Sequence, residues 1–474
     1  MSKGYLAFVL GLALVSGLHA QPEGFHLVEG DASAPFEDSA GCLVVKVGKH
    51  AIIHWDSFSI NENETFRFEQ EDSESSVINF AEEESMSAIL GNLQSNGKVY
   101  LAHPSVIFVG SEAILTAPNI FLVSELGKTE VSGHLTANTP TGQGGKIHIL
   151  GQEILIEKTA VIDASGAIGE GEVLIGGSFQ GENRSIPHSK QTIVQSGAQI
   201  SVDAHEFGNG GRAIIWSDEN TLFYGHINAR GGMEGGNGGL VEVSGKNQLG
   251  FNGTVSTEAP KGQTGQLLMD PQFVFFGVGS PFTNLPPNVS FTNQPNGLFY
   301  IDINSLMGNL STSDVSIQAN SDIYFQSSNT VKPTANKTLI LAAGNSIIVE
   351  PNVTVKLGPA TLIASVNTKG AVKQFRRQKS CVFQVLEGAS ITTTTGDIII
   401  GRPRNILFMP SDGGAILCPE MCVCNNPTNC LDNCCPNSIV SEGGGARLMA
   451  SILPINQDSP NLVGGPNIKP VGKP

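Results

Sequence analysis

Six of the eight cysteines, Cys418, Cys422, Cys424, Cys430, Cys434 and Cys435, fall within 18 residues, while Cys42 and Cys381 stand alone. Thiols this dense either oxidise to disulfides or bind a soft metal as thiolates. The segment CPEMCVCNNPTNCLDNCCP (Cys418–Pro436) has too little apolar content to form a packed core unaided. In an oxidising compartment, local disulfides among the six are expected. Zinc is the rival reading, through Cys422, Cys424 and Cys430. The stretch has no matched pair of C-x-x-C units and no nearby His, so no metal site is expected. Cross-linking into an envelope network is a third use of the same thiols.

Carboxylates are the next candidates. Asp163 and Asp203 occupy similar places in two repeats, and acids on neighbouring rungs are what glycan cleavage needs. Each also sits in a turn context where Asp caps the backbone, and that is the expected role. Arg184 and His188 lie in the polar stretch Ser178–Ser196, expected to be a solvated inserted loop or an extra strand pair. GGMEGGNGG (Gly231–Gly239) lacks the Lys-Ser/Thr and the following helix of a phosphate loop. No Ser/His/Asp or Cys/His arrangement stands out. The expectation is a protein that is not an enzyme and holds no cofactor.

The elements around these residues form a repeat. Five segments align: Leu135–Leu150, Ile162–Gly177, Ile200–Trp216, Ile227–Val243 and Val255–Asp270. Each is a short β-branched strand, a polar Gly-rich turn and an alternating apolar strand. The Gly before the second strand falls at positions 145, 171, 211, 239 and 265, in steps of 26, 40, 28 and 26. A period in the twenties with strand patterning means a solenoid whose units stack because none can close a core alone. Glycine is expected at the corners for positive φ. The predicted fold is all-β: a right-handed parallel β-helix from about Val28 to about Arg404, roughly 70–95 Å long at ~4.8 Å per rung. An antiparallel sandwich is the rival. A Pro/Phe-rich stretch, Pro271–Pro295, reads as a boundary or an overlay. Only Glu82–Leu90 reads as a short helix, with acids in its first turn.

Composition agrees. The 474 residues include 56 Gly, and 40% are apolar, enough for a core. The net charge of −16 argues against nucleic-acid binding, which needs a basic face. Residues 1–20 (MSKGYLAFVLGLALVSGLHA) read as a signal peptide: Lys3, an apolar run from Tyr5 to Val15, then small residues before Gln21.

The block after the signal carries a family resemblance. Ile53, Trp55, Ser57, Phe58 and Ile60 form an I-x-W-x-S-F-x-I run. Phe66, Phe68 and Gln70 follow, then Ile89, Leu90, Gly91, Leu93, Asn96 and Gly97 as an I-L-G-x-L-x-x-N-G run. This order resembles the secretion domain of filamentous haemagglutinin-like exoproteins, the exported members of two-partner secretion systems. Their N-P-N-G-I motif corresponds to His103-Pro104-Ser105-Val106-Ile107, which keeps the Pro and the final Ile and departs elsewhere. The expected organisation is a signal peptide at 1–20, the secretion domain that the resemblance implies over 21–134 capping the β-helix, and Gly-rich β-helix repeats over 135–270. Further strands follow over 271–410, then a Cys-rich segment over 411–440 and a mostly disordered tail over 441–474.

The resemblance further implies recognition by an outer-membrane β-barrel transporter, with Asn92, Leu93, Asn96, Gly97, His103, Pro104 and Ile107 as candidate contacts. It implies an adhesin-like protein, secreted or at the surface of a Gram-negative bacterium after passing the periplasm. A host-cell glycan or protein receptor is then the expected target. The alternatives are a carbohydrate-active β-helix enzyme and a disulfide-cross-linked envelope protein.

Overall fold

The computed structural model describes residues 21–82, 86–278, 300–366, 368 and 382–400, together with the backbone at 416–417 and 447–454. Alternation decides the architecture. In Lys146–Leu150 and its neighbours every second side chain points inward. Val77, Val99, Ile120, Ile147, Val173, Ala213, Val241, Leu267, Val315, Leu339, Leu362 and Ile398 are in register from rung to rung and are all buried. Each Val, Leu or Ile among them contributes about 1.5–3 kcal/mol. One coil passes through Lys98–His103, Val106–Val109 and Ile114–Thr116 before Asn119–Ser124 begins the next. The ladders between coils are parallel, and the fold is a right-handed parallel β-helix with three faces.

On the longest face fourteen strands stack, from Leu43–Trp55 to Ile416–Leu417. Their thirteen spacings make a rod of about 62 Å, shorter than the 70–95 Å expected. Two causes shorten it. Val28 belongs not to the stack but to His26–Ala32, which runs antiparallel along Leu43–Trp55 and covers the open end of the first rung. At the 40-residue step the extra chain leaves the coil as a loop and adds no rung. Gln191–Val194, inside the expected insertion, is an ordinary face strand between Glu153–Ile156 and Asn220–Phe223. Val274–Gly277, in the Pro/Phe-rich stretch, is another, paired with Ile323–Phe325.

The expected helix at Glu82–Leu90 is not formed at its C-terminal end. Ser87–Ile89 is a strand parallel to Val106–Val109, and Ser87 and Ile89 are buried. Burial of alternate residues outweighs the weak preference of an acidic first turn for helix. A helix appears elsewhere, at Ile303–Asn309, capped by the Asp302 side chain accepting from Ser305 N–H. Asn309 docks it on the rod: its Oδ1 accepts from Val255 N–H at 2.6 Å and its Nδ2 donates to the Gly253 carbonyl at 3.0 Å.

The repeat glycines serve a purpose other than the one expected. None of Gly145, Gly171, Gly211, Gly239 and Gly265 has positive φ. A Cβ on Gly211, Gly239 or Gly265 would lie 2.1 Å from the carbonyl oxygen of the aligned glycine one rung earlier. The backbones of successive Gly-rich turns therefore stack in direct contact. Asn209 and Asn237 extend that stack, each Oδ1 accepting the N–H of the residue above it, Asn237 and Gln263. At another corner, buried hydroxyls of Thr129, Thr192 and Thr221 donate to the carbonyls of Leu150, Trp216 and Ser244. These pairs satisfy corner groups that water cannot reach.

Candidate functional site

The motif residues of the N-terminal block converge on the first coils. Trp55, Phe58, Phe66 and Phe68 are at most 1% exposed and pack edge to face, with ring centroids 5.0 to 5.9 Å apart. Trp55 Nε1 donates to Asn79 Oδ1 at 3.0 Å, so the one polar atom of the ring is satisfied. Phe25 closes the cluster from the cap side.

Around this cluster the turn residues lock corners. Asn96 Oδ1 accepts from Gln70 N–H at 2.7 Å, and its Nδ2 donates to the Gln70 carbonyl at 2.8 Å. Asn96 thus pairs with the previous rung as a strand residue would. Gln70 Nε2 returns the contact to Ser95 Oγ and the Lys98 carbonyl. Gly97 lies against that amide, where a Cβ would come within 2.5 Å of Gln70 Cδ. Gly91 lies between the carbonyls of Asn61 and Glu64, 2.2 and 2.4 Å from where its Cβ would be. His103 is buried, and its Nδ1 accepts from Ser105 and Val106 N–H, both at 2.9 Å. That is how a side-chain acceptor caps a turn, and His does it here where the related motif has Asn.

The seven recognition candidates divide accordingly. Leu93 and Ile107 are core residues. Asn96, Gly97 and His103 hold corners. Asn92 and Pro104 are half-buried on the outside, Asn92 starting the strand Asn92–Ser95.

The catalytic candidates are not brought together. Asp163 is in register with Ser201, not with Asp203, and caps its own turn by accepting from Ser165 N–H at 3.0 Å. Asp203 is buried and clamped by Arg230 of the next rung, through Nε at 3.0 Å and Nη2 at 2.6 Å. Arg184 is exposed; His188 bonds Asp218 at 3.3 Å beside the Trp216 ring. Among the described residues no three His, Cys, Asp or Glu are grouped to hold a metal ion. Cys42 is a half-buried free thiol; Cys381 and the six clustered cysteines lie outside the described residues, as does the signal.

Two features escaped sequence reasoning. Glu172 is a charge hub that pairs with Arg212 and His148. Burial works against its ionisation, yet hydrogen bonds from His148 and Arg212 and the Arg212 charge hold it down at about 2. Glu242 and Asp270 are the second. Glu242 is buried at an outward position, in register with Ile214 and Leu268, where alternation alone predicts exposure. Its signal in the sequence was the apolar run of outward residues around it, Leu174, Ile214 and Leu268.

A capped, three-faced parallel β-helix defines the class, and the motif order makes the chain similar to two-partner secretion exoproteins. No family model matches the chain. Among curated proteins it is 28% identical over 160 residues to the heme/hemopexin-binding protein of Haemophilus influenzae. That match covers 32% of this chain, and the chain spans only 18% of that relative's length. Among solved structures, the HMW1 secretion domain from Haemophilus influenzae matches with TM-score 0.47 and 15% identity, over 78% of this chain and 99% of that one.

Proposed function

We propose that the chain is a two-partner secretion exoprotein with an adhesin-like role and no catalytic activity. It is carried across the inner membrane by its signal and across the outer membrane by a dedicated β-barrel transporter. Outside, it stacks into a rod at the surface of a Gram-negative cell or is released. The rod's side faces then meet a host-cell glycan or protein receptor. The observation that carries this reading is the corner network Gln70–Asn96–Gly97–His103 around the Trp55 cluster.

The buried state of Leu93 and Ile107 refines it. The transporter meets the motif as extended chain, by strand addition, before these side chains enter the core. Folding of the first coils then withdraws the motif and releases the partner. The test is deletion of Ile89–Ile107 in cells carrying the transporter. Export fails and the chain stays periplasmic if the reading is right; normal surface delivery of the deleted chain would refute it.

A further inference from the structure

The loop between Gly176 and Lys190 forms a strap across the outside of the long face. Under it, Leu174, Ile214 and Trp216 make a small apolar cluster separate from the main core, covered by Phe179 and Ile186. The strap is fastened at Gln180, to acids 62 and 90 residues further along the chain. Gln180 N–H donates to Glu242 Oε2 at 2.9 Å, and its Nε2 donates to Asp270 Oδ2 at 3.3 Å. Ser244 links the two acids, bonding Glu242 through its side chain and accepting from Asp270 N–H at 3.0 Å.

This fastening holds no positive charge. Among the described residues neither acid forms an ion pair, and Glu242 Oε1 has no hydrogen-bond partner. The charged groups that act on Glu242 are Asp270 from the neighbouring rung and Glu182 from the strap, both acids. Of the strap's other ionisable groups, Arg184 is exposed and His188 is engaged with Asp218.

We propose that the strap is a proton-operated latch, closed over Leu174, Ile214 and Trp216 while Glu242 and Asp270 carry protons and opened when they ionise. Burial pushes Glu242 up to about 8 and Asp270 up to about 7. An open strap returns both acids to water and to the ordinary carboxylate range near ~4. The closed form therefore binds more protons than the open form, and closure weakens as pH rises. Closure is complete below the ordinary carboxylate range, is lost progressively above it, and levels off once pH passes about 8.

Hydrogen exchange of the strap, residues 178–188 of the full chain, tests this across pH 5.5 to 9 after correction for intrinsic rates. Protection falls by about tenfold or more between pH 5.5 and 8 and is flat above. A variant carrying Glu242→Gln and Asp270→Asn keeps both acceptors uncharged, and its strap stays protected throughout. Wild-type protection independent of pH overturns the latch, as does the same loss in the double variant. Should that variant not form the rod, quenching of Trp216 in the wild type decides. Trp55, buried in the core, supplies a constant background. Quenching that rises with pH supports the latch; constant quenching overturns it.

Discussion

His103 shows how much a single acceptor matters in a coil corner. Its Nδ1 takes two backbone N–H groups, those of Ser105 and Val106. Replacing His103 with Ala leaves them bare and should cost about 1–3 kcal/mol, whereas Asn, which caps turns the same way, should retain most of the stability. Denaturant unfolding of the two variants reads the difference. Glu172 gives the rod an acid limit. Its folded value of about 2 lies below the ordinary one, so its contribution is present above the ordinary carboxylate range and is lost as pH falls toward 2. After screening by solvent this is on the order of 2 kcal/mol. Thermal melts of wild type and Glu172→Gln should diverge at pH 7 and converge near pH 2. Gly239 is a residue of the opposite kind, needed for what it lacks. Ala there would press into the Gly211 carbonyl 2.1 Å away, so that variant should lose several kcal/mol, about 3 or more, by overpacking.

Among the elements, strands were legible wherever alternation was strict. Lys146–Leu150 and its repeats announce their inward face by Ile147 and Ile149, and the stack follows from the period. The aromatic residues of the family motif, Trp55, Phe58, Phe66 and Phe68, pack as one cluster in the first coils. Legibility failed where long-range contact decided the outcome. Ser87–Ile89 has three residues of pattern, too few to outweigh acidic neighbours in a sequence window, yet Val109 on the next coil makes it a strand. The helix Ile303–Asn309 is too short for a helical period and is held by Asn309 contacts more than 50 residues away. Glu242 reads as a surface acid because the strap that buries it comes from 62 residues earlier. The helix cap is a simple check: Asp302→Ala should cost about 1 kcal/mol, measured by unfolding. The Cys-rich element makes its own prediction. Mass spectrometry of secreted, non-reduced protein should find Cys418 to Cys435 oxidised, with no alkylatable thiols among the six. A stoichiometric zinc lost to chelator would replace the disulfide reading, and reductant-sensitive multimers would favour envelope cross-linking.

At the scale of the whole molecule, the ladders join each coil to its immediate neighbours, with the strap at Gln180 reaching further to Glu242 and Asp270, so stability accumulates along the rod and a folded end templates the next rung. The antiparallel cover His26–Ala32 and the Trp55 cluster make the N-terminal end the natural place to start. A chain emerging outside the cell with that end first would fold progressively, and each stacked rung would oppose its return. On the proposed function, export and folding would be one process, with the motif meeting the transporter as extended chain and then closing into the first coil. The most direct test is surface exposure of the full chain, read by added protease on intact cells with and without the outer-membrane barrel partner. The account predicts that the chain is cleaved from outside only when the barrel is present and accumulates in the periplasm when it is absent. Equal cleavage in both strains would contradict it.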